Sequence, residues 1–131
     1  MKAQDLTELL ETGQITPDEI CPVLYAVSIL GQRWKLPILW HLAGEGTLRY
    51  NELKRGIPLI TNIMLTQSLR ELERSRLVER INYDTIPPHV EYALSERGKT
   101  LIPLLRQLHA WGREQMEFVA AGKSKGECAG D

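Results

Sequence analysis

TNIMLTQSLRELERSRL, residues 61–77, combines two helix faces of different chemistry. Leu65, Leu69 and Leu72 follow the i, i+4, i+7 spacing of one apolar helix face. Thr61 is a residue type that caps helix N-termini. The opposite face carries polar and basic groups with one isoleucine: Asn62, Ile63, Thr66, Gln67, Arg70 and Arg74. The stretch therefore predicts a helix that docks into a core through its leucines and turns amide and guanidinium groups outward.

The segments on either side of this helix predict a winged helix-turn-helix. A short helix over residues 51–55 precedes a break at Gly56-Ile57-Pro58, and two helices joined by a tight turn form that motif. Residues 77–84 predict a strand, residues 85–88 a turn and residues 89–94 a returning strand. A hairpin directly after a helix-turn-helix is called a wing. We expect Tyr83 and Tyr92 to be cross-strand partners within it.

Further helices are predicted upstream over residues 4–12, 22–30 and 34–43. The second carries an apolar stripe of Val23, Val27 and Leu30. The third has a predicted core face made of Leu36, Leu39, Trp40 and Ala43. The last long element covers residues 95–121, where Pro103 predicts a kink or a later helix start.

Length and composition favour a single domain of an ordinary globular protein. No apolar run approaches the roughly 20 residues of a membrane helix, and the N-terminus lacks the apolar stretch of a signal peptide, so a cytoplasmic location without a membrane partner is expected. Cys21 and Cys128 are far apart in sequence and do not suggest a disulfide framework.

The net charge of −1 hides an uneven distribution. Residues 1–20 carry one basic and five acidic side chains, whereas residues 47–80 carry seven basic and four acidic ones. A local basic region is what contact with phosphates requires. A solvated surface with uneven charge explains the same numbers, so charge alone leaves both interpretations open.

An ordered series of short motifs resembles the HxlR-type family of bacterial regulators, which is MarR-like. The motifs include Gly31-Gln32-Arg33-Trp34-Lys35, Leu48-Arg49-Tyr50-Asn51-Glu52-Leu53, Met64-Leu65-Thr66, Leu69-Arg70-Glu71-Leu72-Glu73, Pro87-Pro88-His89-Val90-Glu91-Tyr92 and Trp111-Gly112. The resemblance covers about residues 21–112. Ser75-Arg76 departs from it, because the family usually has an acid followed by glycine there. Arg in a left-handed conformation would cost about 1 kcal/mol, so we expect a different turn.

The resemblance implies an α+β, mainly helical winged helix-turn-helix with a two-stranded wing. Long terminal helices would form a homodimer, with candidate interface residues Leu104, Leu108, Trp111 and Phe118. The expected organisation is an N-terminal extension over residues 1–20, the winged domain over 21–112, the end of the dimerisation helix over 113–121, and a flexible tail over 122–131.

Candidate DNA contacts fall into two groups. The major groove admits an α-helix, and amide, guanidinium and apolar groups each match a different base edge. The candidates on this recognition helix are Thr61, Asn62, Ile63, Thr66, Gln67 and Arg70. The candidates for backbone and wing contact are Arg49, Tyr50, Asn51, Lys54, Pro87, Pro88 and His89. A homodimer would then bind double-stranded DNA at an inverted repeat.

Cys21 is a candidate sensor. A thiol at a helix start, just before Pro22, feels the positive end of the helix dipole, which favours the thiolate. Some members of the family sense oxidants or electrophiles at this position. A small buried core residue is the other interpretation of Cys21.

Enzyme functions are not favoured. The histidines and cysteines lack metal-ligand spacing, and there is no phosphate-binding glycine loop or nucleophile elbow, so we expect no catalytic residue, metal or cofactor. Two alternatives stay open: a winged-helix module that binds a partner protein without specific DNA binding, and a small-ligand-binding dimer with weak DNA affinity. A small-molecule effector is compatible with the main hypothesis as well.

Overall fold

The computed structural model describes residues 3–124, with side chains described for residues 6–122. The helices are α1 (Ala3–Glu11), a short 3-10 helix (Pro17–Glu19), α2 (Pro22–Leu30), α3 (Lys35–Glu45), α4 (Tyr50–Gly56), α5 (Asn62–Arg74), α6 (Glu96–Lys99) and α7 (Ile102–Ser124). The strands are β1 (Thr47–Leu48), β2 (Val78–Tyr83) and β3 (His89–Leu94). The chain divides into two units, one ending at Lys99 and one beginning at Thr100.

Glycine and proline set most of the helix bounds, as the sequence predicts. Gly13 and Gly46 adopt positive φ angles of 78° and 89° just after α1 and α3, a conformation that glycine adopts without steric cost. Pro22 is the first residue of α2. Pro103 is the second residue of α7, so the later helix start that Pro103 predicts is confirmed.

The buried faces of α2 and α3 differ from the predicted ones. In α2, Val23 and Val27 are exposed, whereas Ile29 and Leu30 are buried. In α3 the buried residues are Lys35, Ile38, Leu39 and Leu42. Of the predicted α3 face only Leu39 is fully buried, and Leu36, Trp40 and Ala43 are half-buried. The burial of α3 is centred about one residue from the predicted face, with a lysine inside it.

The wing belongs to a three-stranded antiparallel sheet with the strand order β1-β3-β2. The predicted hairpin of β2 and β3 is present, and β1 adds a short third strand through pairs Thr47–Ala93 and Leu48–Tyr92. Because β1 directly precedes α4, this pairing ties the start of the helix-turn-helix to the wing.

The expected pairing of Tyr83 with Tyr92 is wrong. Tyr83 lies opposite His89, and Tyr92 lies opposite Arg80. Tyr92 is three residues from His89, and an odd separation along a strand places two side chains on opposite faces of the sheet. Tyr92 is buried and Tyr83 is exposed, as this alternation requires.

The core of the first unit forms where the leucine face of α5 meets α3, α4 and the sheet. Its most buried apolar side chains are Ile38, Leu39, Leu42, Leu53, Leu65, Leu69 and Leu72. Burying one such side chain contributes about 2 kcal/mol. This packing determines which face of α5 is turned toward solvent.

The turn after α5 keeps a left-handed residue although that residue is arginine. Arg76 has a φ of 60°, and the Leu77 N–H donates to the Leu72 carbonyl at 3.0 Å. The Ser95 hydroxyl donates to the Arg76 carbonyl at 2.6 Å. The expectation of a different turn at Ser75-Arg76 is therefore wrong, because these hydrogen bonds hold the left-handed geometry despite the side chain.

The second unit consists mainly of α7, which carries many exposed apolar side chains. They include all four predicted interface residues, namely Leu104, Leu108, Trp111 and Phe118, together with Met116 and Val119. The large residue Trp111 is 60% exposed. Within the described residues, no helix combines the length and apolarity needed to span a membrane.

Candidate nucleic-acid interface

The start of α5 is built by a side-chain cap. The Thr61 hydroxyl accepts a hydrogen bond from the Met64 N–H at 3.1 Å. This bond satisfies one of the N–H groups that every helix start leaves without a partner. The predicted N-cap is confirmed, and other N–H groups of this first turn, such as that of Ile63, point out of the helix end.

One line of side chains runs along α5 opposite its buried face. At 100° per residue, this direction is occupied by Ile63, Gln67, Arg70 and Arg74, and all four are exposed. We call these four residues the outer stripe. Three of them were predicted as base-contacting residues. The sequence predicts Arg74 on the outward face without naming it as a DNA contact. Its alignment with the other three residues adds Arg74 to the candidate contacts.

The other two predicted base-contacting residues of α5 are held by Tyr50. The Tyr50 hydroxyl lies 3.0 Å from the Asn62 carbonyl oxygen, 3.3 Å from Asn62 Oδ1 and 3.0 Å from Thr66 Oγ1. A tyrosine hydroxyl that donates to the Asn62 carbonyl can accept from the Thr66 hydroxyl at the same time. Tyr50, predicted as a backbone contact, thus ties the first residue of α4 to the first turns of α5.

The N-terminus of α4 is also capped. The Arg49 N–H donates to Glu52 Oε1 at 2.8 Å, which leaves the Arg49 side chain outside the cap. Arg49 and Asn51 are exposed and Lys54 is half-buried. These side chains lie on the solvent side of α4, the helix that precedes α5.

A groove of about 510 Å³ separates the start of α4 from the base of the wing. Its walls include Arg49, Asn51 and Arg55 on one side and Pro88 and His89 on the other. Most of the predicted backbone and wing contacts therefore line one groove. Arg55 was not among them, although its position in the basic region between residues 47 and 80 is a signal that could have indicated it.

A hydrogen-bonded network lies at the base of the wing. Glu91 Oε2 is 2.7 Å from His89 Nε2, and the Tyr83 hydroxyl donates to Glu91 Oε1 at 3.2 Å. The hydrogen bond from His89 is the main reason why the pKa of Glu91 lies below its usual value, with smaller contributions from Tyr83 and Arg49. The Glu91 charge raises the pKa of Tyr83. His89 is thus engaged within the wing through Nε2.

The tip of the wing is apolar and exposed. Pro87 and Pro88 are exposed, Ile86 is fully exposed, and the Ile86–Pro87 peptide bond is cis. The Thr85 hydroxyl donates to the Pro87 carbonyl at 2.8 Å. The predicted wing residues therefore project from the sheet, beside the groove described above.

An ion pair between a buried lysine and a half-buried glutamate, which the sequence did not indicate, joins α3 to α5. Lys35 Nζ lies 2.8 Å from Glu71 Oε1, and the Lys35 side chain is only 2% exposed. Lys35 Nζ also donates to the Ile29 carbonyl at 3.5 Å. No pattern in the sequence marks this lysine, because a lysine next to a tryptophan at a helix start is equally consistent with a solvated position.

Cys21 lies at the N-cap of α2 and its thiol is exposed. The interpretation of Cys21 as a buried core residue is therefore wrong. The second cysteine, Cys128, lies outside the described residues.

A sequence model of the HxlR-like helix-turn-helix family matches residues 29–119, well over half of the chain. The chain belongs to this family. The HTH-type transcriptional regulator YybR of Bacillus subtilis strain 168 is 40% identical over 117 residues, which cover 88% of this chain and 93% of YybR. Membership of the HxlR-like family, together with the match to YybR, identifies this protein as a transcriptional regulator with a helix-turn-helix domain.

Solved structures of HxlR-like proteins have the same winged-helix fold. The redox regulator HypR in its oxidised form is 42% identical, with a TM-score of 0.69 over 72% of this chain and 96% of HypR. The reduced form of HypR is 39% identical, with a TM-score of 0.71 over 77% of this chain and 99% of HypR. The curated relatives of this chain include further HTH-type transcriptional regulators.

Proposed function

We propose that this protein is a sequence-specific DNA-binding repressor that inserts α5 into the major groove of an inverted-repeat operator. The observation that carries the proposal is the outer stripe. Its four side chains are exposed on a helix whose opposite face is held by Leu65, Leu69 and Leu72, which are at most 1% exposed. A helix held so firmly on one side presents the other side in one orientation.

The chemistry of the outer stripe suits base edges in the major groove. A guanidinium group such as that of Arg70 can donate two hydrogen bonds to guanine O6 and N7. The Gln67 amide can bind adenine N6 and N7, and Ile63 can contact a thymine methyl group. Each good bidentate pair provides about 1–3 kcal/mol of discrimination against the wrong base.

Asn62 and Thr66 support the readout in a different way from the stripe. Since Tyr50 binds the Asn62 carbonyl and the Thr66 hydroxyl, we assign Thr66 to positioning the helix. The Asn62 side chain is exposed and would contact DNA at the edge of the stripe. Tyr50 then acts mainly by orienting α5, and less by touching a phosphate.

Phosphate contacts would position the helix on the duplex without reading sequence. The groove between α4 and the wing offers Arg49, Asn51 and Arg55 to one strand, with Lys54 beside them. The capped N-terminus of α5 at Thr61 offers N–H groups to a phosphate. Pro87, Pro88 and His89 would lie along the sugar-phosphate chain or the minor groove.

Homodimerisation through α7 would generate the inverted repeat. Leu104, Leu108, Trp111 and Phe118 are exposed apolar side chains on this helix, and a second copy of α7 would remove them from water. A two-fold dimer would place the two recognition helices about 34–36 Å apart, one helical turn of DNA. Binding of this kind at a promoter would block transcription.

Thiol oxidation at Cys21 is a second proposed property, supported by the exposure of Cys21. In the reaction we propose, two Cys21 thiols of a dimer form a disulfide, and an oxidant such as diamide takes up the two electrons and two protons. HypR is a redox regulator, which supports testing a thiol response here. The same chain could also respond to a small-molecule effector.

The experiment that tests the main proposal is selection from a random duplex library with reduced, full-length protein, followed by anisotropy titration of the selected sites. We expect selected sites to contain two inverted half-sites. Binding should exceed that of random DNA by about a thousandfold or more at physiological salt. A protein that selects no sequence at low ionic strength, yet captures a partner protein through α5, would support the alternative of a protein-interaction module.

A further inference from the structure

The acidic helix α1 lies beside the second half of α5. A cavity of about 780 Å³ is bounded by α1, α2, α5 and α6, and all four helices belong to the first unit. Gln67 and Arg74 of the outer stripe line this cavity, and so do Glu8 and Glu11 of α1. The carboxylates of α1 therefore share a cavity with two side chains that the proposed function assigns to DNA.

Contacts with α2 hold α1 in this place. Leu6 of α1 is buried, and the hydroxyl groups of Thr7 and Tyr25 lie 2.9 Å apart and join α1 to α2. The whole of α1 lies outside residues 29–119, the part of the chain that the family model matches. Family membership therefore assigns no role to α1, and its role has to follow from its own charges and contacts.

The charged side chains around the cavity largely balance one another. Lys35 and Glu71 pair at 2.8 Å. Arg97 of α6 is engaged with the Ser75 carbonyl, 3.1 Å from Nη1, and makes a further interaction. The other charged side chains that line the cavity are two arginines at the end of α5 and two acids of α1, namely Arg74, Arg76, Glu8 and Glu11.

The acids of α1 and a DNA duplex compete for the same arginines. Glu11 Oε2 lies 3.9 Å from Arg76 Nη2, and a guanidinium group matches carboxylate and phosphate alike. We propose that α1 is an autoinhibitory element, whose Glu8 and Glu11 carboxylates compete with DNA for Arg74 and Arg76 and weaken binding to every duplex. Because an exposed ion pair contributes little to stability, DNA can displace it. The inference rests on the function proposed above.

The two flanks of α5 would then differ in their effect on DNA. The major groove is about 12 Å wide, so phosphates pass on both sides of an inserted helix. The flank next to α4 and the wing offers Arg49, Lys54 and Arg55. On the flank next to α1, phosphates also meet Glu8 and Glu11, and like charges repel one another. This repulsion does not depend on base sequence, and added salt screens it.

The test is an anisotropy titration of labelled operator and random duplexes with full-length, reduced protein. At about 50 mM salt, Glu8→Gln/Glu11→Gln should bind both duplexes about fivefold more tightly than the wild type, and the gain should largely disappear at about 300 mM. Glu8→Lys/Glu11→Lys should bind more tightly still. Both residues are exposed, so thermal unfolding of the variants should match that of the wild type.

A matched control separates the position of these charges from the net charge. Asp18 is exposed, belongs to the same acidic segment of residues 1–20 and does not line the cavity. Glu8→Gln should therefore raise affinity for random DNA at low salt, whereas Asp18→Asn should leave it nearly unchanged. Equal gains from these two single substitutions would show an effect of net charge alone and overturn the proposal.

The remaining outcomes distinguish this proposal from the function on which it rests. A wild type that binds the operator, together with a Glu8→Gln/Glu11→Gln variant that gains no affinity at low salt, would refute the inhibition and leave the proposed function standing. A gain that stays the same at high salt would contradict electrostatic competition. If neither duplex is bound by any of these proteins, the lysine variant included, the proposed function is refuted and the inhibition with it.

Discussion

The Lys35 ammonium group lies 2.8 Å from the Glu71 carboxylate and joins the start of α3 to α5. Lys35 is buried and Glu71 is half-buried. Removing one partner of a buried pair leaves the other charge without compensation, which costs more than the pair itself contributes. The pair therefore helps to fix the orientation of α5 and, with it, the direction in which the outer stripe faces.

Replacing Lys35 with Met should lower the free energy of unfolding by about 2 kcal/mol, a value reduced from fully buried cases because Glu71 is partly solvated. The double variant Lys35→Met/Glu71→Leu should recover most of this loss, because neither charge remains. Urea unfolding at a fixed protein concentration measures both. A double variant less stable than Lys35→Met would contradict this account of the pair.

Tyr50→Phe should destabilise the protein by about 1 kcal/mol, because the change removes a hydroxyl group that joins α4 to Asn62 and Thr66. Operator affinity should also fall, since the first turns of α5 lose a positioning contact. Tyr83→Phe is the matched control, as it removes an exposed hydroxyl bound to Glu91. Thermal unfolding and anisotropy titration compare the two. Equal effects of the two substitutions would argue against a positioning role for Tyr50.

Arg76→Gly should stabilise the protein by about 0.5–1 kcal/mol, because glycine adopts the φ of 60° at this position without steric strain. The ion pair that is lost with Glu11 is long and exposed, and such pairs contribute little. Arg76→Ala serves as the control, since alanine keeps the strain and should give no gain. Differential scanning calorimetry of the three proteins provides the comparison. A glycine variant no more stable than the alanine variant would show that the turn carries no strain.

Diamide should weaken operator binding by the reduced wild type, and Cys21→Ser should abolish the response. Cys128→Ser should respond as the wild type does, because the proposed disulfide needs only the exposed Cys21 thiols. Gel mobility without reductant, together with mass spectrometry of the cysteine peptides, identifies the bond. Loss of the response in Cys128→Ser, or unmodified Cys21 after treatment with unchanged operator affinity, would remove the sensing proposal.

Local patterns in the sequence predicted the parts of the fold that depend on neighbouring residues. The Thr61 cap needs only its own side chain and the N–H group of Met64. The leucine spacing of α5 correctly predicts its buried face, because all of these leucines pack into one core. Pro103 indicated the start of α7 because a proline is tolerated only in the first turn of a helix.

The features that were missed depend on residues far apart in the chain. The burial of Lys35 requires Glu71, which lies on another helix. Residues 47–50 predict a short extended segment, but its pairing with β3 as the two-residue strand β1 could not be predicted from these residues alone. The register that separates Tyr83 from Tyr92 is set by the geometry of the wing turn. None of these relationships leaves a periodic trace in the sequence.

The candidate site also combines features that neighbouring residues predict with features that depend on residues far apart in the chain. The outward face of α5 was readable from its periodicity, whereas the contacts of Tyr50 with Asn62 and Thr66 depend on how α4 crosses α5. Arg74 lies on the predicted face, and only the three-dimensional direction of the stripe shows that it lies in line with Ile63 and Arg70.

The most direct test of base reading by the outer stripe is an affinity profile over a panel of single base-pair substitutions in the selected operator. The wild type should lose about 1–3 kcal/mol at each contacted pair. Arg70→Ala should bind all four bases equally well at one base pair of the operator and keep its preference at the other pairs. Gln67→Ala should lose its preference at a different base pair. Lys54→Ala should weaken binding to every duplex alike and reduce the salt dependence by about one phosphate contact. The contrary result is that all three variants keep the base-pair preferences of the wild type and lose affinity equally for operator and random DNA. In that case the outer stripe does not read bases.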